Sequence, residues 1–254
     1  MLSIDWENHH GAVWRPYSKR WHAVQRISAP SLDQLLNIEP QKRALRQNTE
    51  RFLKKLPAQH AKLWGAKGTG KSSLVRAIAK AYTRSGLRIV QLCKADLIML
   101  PDVVDALRNE PYRFIVFFDD LSFSDVNDDF QMLKSMIDGT IEAPAENIRY
   151  YVTSNHRRFI NESMQHNLQS DVARDTLNHS EVVEDKLALA DRFDLELSFY
   201  TISQSEYFLL IEKYLNLSLE SDHEKRRLAI QFATQKGTRN ARTAEQFCAQ
   251  FINQ

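Results

Sequence analysis

Apolar residues along the chain fall into short runs separated by segments of helical spacing. Five runs predict β-strands, at residues 61–64, 87–92, 113–118, 149–153 and 195–200. The run at 113–118 is almost continuously apolar, which is typical of a strand buried on both faces. Each run is short enough to be a strand rather than a buried helix.

The segments between these runs repeat apolar positions every three or four residues. In one of them Leu74, Ile78 and Tyr82 form a single stripe, and Gly86 is a typical helix stop. Helices are predicted over 40–56, 71–85, 102–108 and 130–137. Alternating strands and helices predict an α/β fold of three layers (αβα), with a five-stranded parallel sheet between two layers of helices.

The two ends of the chain differ from this middle part. Residues 1–35 show no clear periodicity and are expected to form an irregular N-terminal extension, followed by the α/β core at 36–200. From residue 203 the pattern is helical only, so residues 201–254 are expected to form a small α-helical lid. The aromatic and basic residues at 14–26 could stack on nucleic-acid bases, but packing along the core is favoured because aromatic side chains bury large areas.

Composition narrows the class of protein. The 254 residues are 43% apolar and 26% charged, which is typical of a globular chain, and the net charge of +2 does not by itself indicate a nucleic-acid partner. Cys93 and Cys248 are expected to be buried free thiols, which suits a reducing compartment. No apolar run is long enough to span a membrane, and the N-terminus does not resemble a signal peptide. We therefore expect a cytoplasmic protein without a membrane partner.

A glycine-rich loop follows the first predicted core strand. Its sequence matches the pattern G-x-x-x-x-G-K-[ST], with a strand before it and a helix after it. Glycines let backbone N–H groups approach a triphosphate closely, and the next helix adds a partial positive charge. Lys71 is expected to reach the β- and γ-phosphates of ATP, and Ser72 to ligate Mg²⁺. The expected nucleotide contacts are Gly65, Ala66, Lys67, Gly68, Thr69, Gly70, Lys71, Ser72 and Ser73.

Two carboxylates end the apolar strand at 113–118. In P-loop ATPases the first acid at such a position, here Asp119, holds Mg²⁺. The second, Asp120, would polarise the attacking water, and a nearby cation would offset the repulsion between the two. Further acids at 125, 128 and 129 leave a solvated turn as the alternative.

The order of these features resembles that of an AAA+ ATPase from about residue 36 onward. More narrowly, four segments resemble a bacterial AAA+ family known only as an ATP-binding domain of unknown function: 63–74, 118–123, 153–155 and 191–200. This resemblance implies the sheet order 5-1-4-3-2, a helical lid and ring-like homo-oligomers.

The resemblance also assigns polar residues around the triphosphate. Asn155, just past a predicted strand, matches the sensor that lies near the γ-phosphate and the attacking water, although Asn also favours strand-ending turns. Arg242, at the start of a predicted lid helix, matches a second sensor, with Arg239 as the competing candidate. A lid arginine at the γ-phosphate would couple the lid angle to hydrolysis.

A further arginine is expected to act between subunits. Arg192 matches the arginine finger that neutralises charge on the phosphoryl group bound by a neighbouring subunit, and Arg174 is a weaker substitute. The alternative for Arg192 is an ion pair with Asp191 or Asp194.

The second acid departs from the wider superfamily, where Glu is usual. Asp120 is one methylene shorter, so we expect slow hydrolysis. The expected function is an ATPase that couples nucleotide state to remodelling or loading of an unknown protein or nucleic-acid partner. The alternative is a nucleotide-gated binding module, similar in use to helicase loaders, with negligible turnover. A small-molecule kinase fits less well, because the lid is terminal and Asn155 and Arg192 are both present.

Three further segments have a composition that is compatible with more than one function. Residues 41–63 are strongly basic and residues 95–130 strongly acidic. This asymmetry could bind nucleic acid, let subunits dock basic face to acidic face, or reflect two solvated faces. The long polar stretch 161–186 could be an insertion that faces a partner.

Overall fold

The computed structural model describes residues 4–122, 129–139, 141–157, 188–219 and 222–251. Arg174 and the predicted partner-facing stretch 161–186 lie outside the described residues, as do Asp125 and Asp128. Among the described residues, no helix combines the length and the apolar character needed to cross a membrane.

The described chain contains strands and helices in alternation, followed by helices only. The strands are β1 Gly11–Arg15, β2 Arg20–Val24, β3 Ala61–Gly65, β4 Leu87–Leu92, β5 Arg113–Phe118, β6 Ile148–Ser154 and β7 Leu195–Phe199. The α-helices are α1 Glu39–Leu53, α2 Lys71–Ala81, α3 Leu100–Arg108, α4 Asp129–Asp138, α5 Gln204–Leu215, α6 His223–Gln235 and α7 Ala241–Phe251.

The sheet has seven strands in the order β2-β1-β4-β5-β6-β3-β7, so the prediction of five strands was wrong. Strands β3 to β7 are the five predicted ones, and they are parallel in the order 5-1-4-3-2 that the resemblance implies. The two added strands form an antiparallel hairpin, in which β1 also pairs in parallel with β4.

The hairpin also corrects the expectation that residues 1–35 are irregular. Its strands are short and polar residues interrupt their alternation, so the sequence alone carries a weak strand signal. Pairing with β4 provides backbone hydrogen bonds that stabilise β1. Gly11 lies opposite Ile89, and Ile89 donates its N–H to the carbonyl of His10. Trp14 and Trp21 pack against the core from this hairpin, whereas Tyr17 in its turn is fully exposed.

Two apolar clusters cover the two faces of the sheet. Alternate residues of β5 enter different clusters: Phe114, Val116 and Phe118 belong to one, and Ile115 and Phe117 to the other. This confirms that the apolar run at 113–118 is a strand buried on both faces.

The C-terminal helices α5, α6 and α7 share an apolar cluster of their own, which includes Tyr207, Ile211, Ala229 and Phe247. Cys248 is buried in this cluster, as expected, but Cys93 is exposed, so the prediction that both thiols are buried was wrong. Cys93 lies just past the end of β4, where its Sγ donates to Oδ2 of Asp96 at 2.8 Å.

Candidate nucleotide site

Three neighbouring parallel strands end at the same edge of the sheet, and each ends in a candidate site residue. The glycine loop follows β3, Asp119 and Asp120 follow β5, and Asn155 follows β6, which lies between β3 and β5. In open α/β sheets ligands bind outside the carboxyl ends of the strands, so this edge is the expected place for a site.

The glycine loop turns sharply from β3 into α2. Gly65 has a φ of +131°, and a Cβ there would lie 1.9 Å from the backbone oxygen of Phe199 on the adjacent β7. Gly70 is left-handed as well and immediately precedes Lys71, the first residue of α2. The loop backbone is therefore close-packed against β7 and presents the N-terminus of α2 at the edge of the sheet.

Lys71 folds back onto the loop. Its Nζ donates to the carbonyls of Gly65 and Ala66, both at 2.7 Å, and lies 3.4 Å from Oδ1 of Asn155. Burial lowers the pKa of Lys71 below its ordinary value of 10.5, and the negative charges of Asp120 and Asp119 oppose that shift. The ammonium is thus held close to both carboxylates and to Asn155.

Ser72 and Asp119 meet directly. The Ser72 hydroxyl donates to Oδ1 of Asp119 at 2.5 Å, and the same carboxylate oxygen accepts from Oγ1 of Thr153 at 2.7 Å. The sequence pattern did not single out Thr153, although a polar residue at the end of an apolar strand is a signal for a residue that faces a site. Hydroxyl and carboxylate oxygens are suitable ligands for Mg²⁺, so Ser72 and Asp119 could hold this ion.

Asp120 is held in an unusual backbone conformation. Its φ is +56°, in the left-handed region that non-glycine residues seldom adopt. Its N–H donates to Oγ1 of Thr153 at 2.9 Å, and its Oδ1 accepts from Nδ2 of Asn155 at 2.5 Å. Contacts from β6 and the residue just past it therefore orient this carboxylate.

The C-terminal helices α5, α6 and α7, called the lid below, touch the glycine loop through Asn240, which precedes α7 and is buried. Its Nδ2 donates to the carbonyl of Lys67 at 3.1 Å, and its Oδ1 accepts from the N–H of Thr243 at 2.9 Å, capping α7. A Cβ at Gly68 would lie 2.5 Å from Nδ2 of Asn240. The sequence pattern did not single out Asn240 for the site, although Asn directly before a helix is a typical N-cap.

A cavity of about 940 Å³ opens between the glycine loop, the lid and the segment before α1. Cations from both sides line it: Lys71 and Arg76 from α2, Lys213 from α5 and Arg242 from α7. Arg76 and Lys213 were not predicted, because only the fold brings them there. Arg239, the competitor of Arg242, instead donates to Oε1 of Gln204 at 3.4 Å.

A second, smaller cavity of about 190 Å³ adjoins the first, and both include Leu36 and Ala241. Its lining combines apolar and polar side chains from the segment before α1, the end of β7 and the lid. Gln41 lines it too, and its Nε2 donates to the carbonyl of Ser198 at 2.7 Å.

Arg192 lies in an exposed ion pair. Its guanidinium contacts both carboxylate oxygens of Asp138, at 2.5 and 3.1 Å, and this contact raises its pKa. The partner is therefore not Asp191 or Asp194, the two acids that the sequence suggested. Asp138 ends α4, which the sequence could not place next to Arg192.

Comparison with known families matches residues 7–254 to the model described as "Protein of unknown function (DUF815)", so the chain belongs to this family. No curated protein sequence matched the chain. Among solved structures, a RuvB mutant from Thermotoga maritima is similar with 13% identity and a TM-score of 0.49, over 86% of this chain and 72% of that one. The RuvB Holliday junction branch migration motor from the same organism gives 11% identity and a TM-score of 0.46, over 85% and 70%.

Proposed function

We propose that this DUF815 protein is an AAA+ ATPase. It would bind ATP with Mg²⁺ at the carboxyl edge of its sheet and hydrolyse the bond between the β- and γ-phosphates. One observation carries the proposal: residues from three strand ends form a single connected set of contacts. Lys71 lies between the loop carbonyls and Asn155, Asn155 donates to Asp120, and Thr153 contacts both Asp120 and Asp119.

Lys71 and the glycine loop would hold the phosphates. The carbonyls of Gly65 and Ala66 now accept from Nζ of Lys71, and a triphosphate would compete for that ammonium with a full negative charge. The backbone N–H groups of residues 67–73 and the N-terminus of α2 would supply further donors.

Ser72 and Asp119 would hold the metal ion. Their oxygens lie 2.5 Å apart, so one ion could contact both without a large movement of either side chain. Such a site, with few protein ligands, suits Mg²⁺, which usually keeps waters and phosphate oxygens as its other ligands. When bound, the ion would neutralise charge on the β- and γ-phosphates.

The nucleotide base would enter the smaller cavity. Its lining includes Ile38, Phe199, Ile202 and Leu210, which suit a flat aromatic ring. Leu36 and Ala241 border both cavities, so one nucleotide could span them, with its phosphates at the glycine loop.

Asp120 would orient the attacking water, and Asn155 would hold Asp120 in position. Arg242 would reach the phosphates from α7, so that lid and core both respond to the γ-phosphate. The contact from Asn240 to Lys67 already connects the lid to the loop.

Arg192 would act in trans in a homo-oligomer. To reach a neighbouring nucleotide it has to leave Asp138, an exchange that is inexpensive for an exposed ion pair. We propose a cytoplasmic protein in which the core at 36–200 and the lid at 201–254 transmit nucleotide state to a protein or nucleic-acid partner.

A second candidate function is a nucleotide-gated switch with negligible turnover. The short side chain of Asp120 favours it, because its carboxylate is one methylene shorter than that of Glu and reaches less far towards an attacking water.

Calorimetry of ATP binding tests the site. Lys71→Ala removes the ammonium and should weaken ATP binding by about tenfold or more, since charge-assisted hydrogen bonds contribute roughly 1.5–3 kcal/mol each. Lys80→Ala removes the same charge from the last turn of α2 and should leave affinity unchanged. Equal ATP affinity in wild type and Lys71→Ala would contradict the phosphate role of the loop.

Phosphate release then separates the two functions. Turnover per molecule that rises with protein concentration supports an oligomeric ATPase. Tight ATP binding with flat, negligible turnover at all concentrations supports the switch.

A further inference from the structure

The N-terminal hairpin presents a basic, aromatic surface that the nucleotide site does not use. We call the exposed residues Arg15, Tyr17, Lys19, Arg20 and His22 the hairpin surface. They belong to the end of β1, the turn and the start of β2.

The two faces of the hairpin differ in character. Trp14 and Trp21 lie opposite each other with ring centroids 5.2 Å apart, and both pack against the core. Successive side chains of a strand point to opposite faces, so Arg15 and its partner Arg20 lie on the other face. The tryptophans thus anchor the hairpin and leave its basic face exposed.

This basic face has no counter-charge among the residues that the structure describes. Residues 11–32 contain four cations, Arg15, Lys19, Arg20 and Arg26, and no Asp or Glu, while the whole chain carries a net charge of only +2. Within the described part of the chain, none of the four makes an ion pair or a side-chain hydrogen bond. Like charges directly opposite in a strand pair are destabilising, so the pairing of Arg15 with Arg20 favours an anionic ligand.

Tyr17 adds an aromatic ring to these cations. It is fully exposed at the tip of the turn, between Arg15 and Lys19 in sequence. An exposed ring among cations offers a stacking platform for an unpaired base beside groups that bind the phosphate backbone. Bases inside a duplex do not expose their faces in this way, so the combination fits a single strand.

The position of the hairpin connects this surface to the sheet edge that bears the nucleotide site. Strand β1 runs parallel to β4, so its turn lies at the same edge as the carboxyl ends of β4 and β5. The pairing with β4 stops at Val13, so Trp14 and Arg15 extend beyond it. Two strand spacings, about 10 Å, separate β1 from β5, the strand that precedes Asp119 and Asp120.

We propose that the hairpin surface binds single-stranded nucleic acid, with phosphates against Arg15, Lys19 and Arg20 and a base stacked on Tyr17. This inference does not depend on ATP hydrolysis. It rests on the cross-strand arginine pair, the exposed ring, and the cations that form no ion pair with any described residue.

Fluorescence anisotropy of the full chain with labelled oligo-dT and oligo-rU tests the proposal, at several salt concentrations and without nucleotide. The triple variant Arg15→Ala/Lys19→Ala/Arg20→Ala should bind at least tenfold more weakly. It should also reduce the slope of log affinity against log salt by about 2, since each phosphate contact in a single strand contributes about 0.7. Tyr17→Ala should weaken binding about fivefold or more, whereas Tyr17→Phe keeps the ring and should bind as wild type.

A charge-matched control separates a local surface from a general charge effect. Arg84→Ala/Arg227→Ala/Lys236→Ala removes three exposed cations elsewhere, outside the basic region 41–63, and should keep wild-type binding. Any of three results would overturn the proposal: an equal loss of affinity in this control, an unchanged affinity in the hairpin triple variant, or no binding of the oligonucleotides by wild type. A competition experiment could also overturn it. If poly-glutamate displaced the labelled oligonucleotide as effectively per charge as unlabelled oligo-dT, an acidic protein would be identified as the ligand. Unchanged calorimetric ATP binding by the hairpin variants shows that they are folded.

Discussion

Asn155 donates a hydrogen bond from Nδ2 to Oδ1 of Asp120 at 2.5 Å, while its Oδ1 lies 3.4 Å from Nζ of Lys71. One amide thus contacts both a candidate catalytic carboxylate and the lysine of the glycine loop. The left-handed backbone of Asp120 departs from the extended conformation of β5, so this strand alone does not set the direction of the Asp120 carboxylate. The position of its carboxylate depends on the residue that follows β6.

Replacing Asn155 should therefore impair chemistry more than binding. In Asn155→Ala the Asp120 carboxylate loses its orienting contact, and we expect kcat for ATP hydrolysis to fall by about a hundredfold, the cost of a small misplacement in an active site. The calorimetric Kd for ATP should change by less than about threefold. His156→Ala, at the next residue, is the control and should keep full turnover. An Asn155→Ala enzyme with wild-type kcat would exclude the positioning role.

The contact between the lid and the glycine loop can be tested with two glycines of similar backbone conformation. Gly68 (φ +75°) faces Asn240 of the lid, whereas a Cβ added at Gly86 (φ +87°) would meet no atom within 4 Å. Ala at either position should cost about 1–2 kcal/mol of folding free energy because of the left-handed backbone. That cost lowers Tm by a few degrees in both variants.

Only Gly68→Ala should also affect nucleotide binding, because its Cβ would displace the Asn240 side chain. We expect ATP affinity to fall about tenfold in Gly68→Ala and to stay at the wild-type level in Gly86→Ala, measured by calorimetry. The same loss in both variants would mean that backbone strain, and not the lid contact, is responsible.

Substitutions at Arg192 and at its ion-pair partner Asp138 distinguish a catalytic role of Arg192 from a structural one. If Arg192 completes a neighbouring site, Arg192→Ala should lower turnover about a thousandfold with ATP affinity unchanged, since arginine fingers contribute at least that much. Asp138→Asn breaks the same ion pair but keeps the guanidinium, and should retain turnover. An equal loss in both variants would assign Arg192 to the ion pair alone.

Mixing two inactive proteins tests the action of Arg192 between subunits. Lys71→Ala has a defective site but an intact Arg192, and Arg192→Ala has the reverse. Together they should recover measurable phosphate release if the residues act on the same nucleotide from different subunits. A mixture as inactive as its components would exclude action in trans.

His60 predicts a pH dependence of stability. Burial lowers its pKa from 6.5 to about 3, with Arg149 acting in the same direction, and its Nδ1 accepts from the N–H of Tyr150 at 3.0 Å. Between these two pKa values the unfolded chain binds a proton that the folded chain does not. The free energy of unfolding should therefore fall as pH drops below 6.5, by about 2 kcal/mol between pH 7 and pH 5.

His60→Gln keeps an acceptor for Tyr150 but has no titrating group. Urea unfolding at pH 7 and pH 5 should show a loss about 2 kcal/mol smaller in this variant than in wild type. Identical losses in the two proteins would show that His60 does not remain neutral in the folded state.

Local sequence determined most of the α/β core. The run at 113–118 became β5 because continuous apolar residues suit a strand covered on both faces, and the glycine spacing at 65–70 permits the turn from β3 into α2. These features depend on neighbouring residues only, which is why periodicity and motif spacing were sufficient to find them.

Tertiary structure decided how distant segments meet. The hairpin of β1 and β2 exists as part of the sheet because β1 pairs with β4, and that pairing leaves no periodic trace in residues 11–24. Thr153 reaches Asp119, Asn240 reaches Lys67 and Asp138 reaches Arg192 across long stretches of chain. Hydrogen bonds and ion pairs between distant residues depend on the geometry of the folded chain, so only the structure could show which polar residues complete the site that the glycine loop begins.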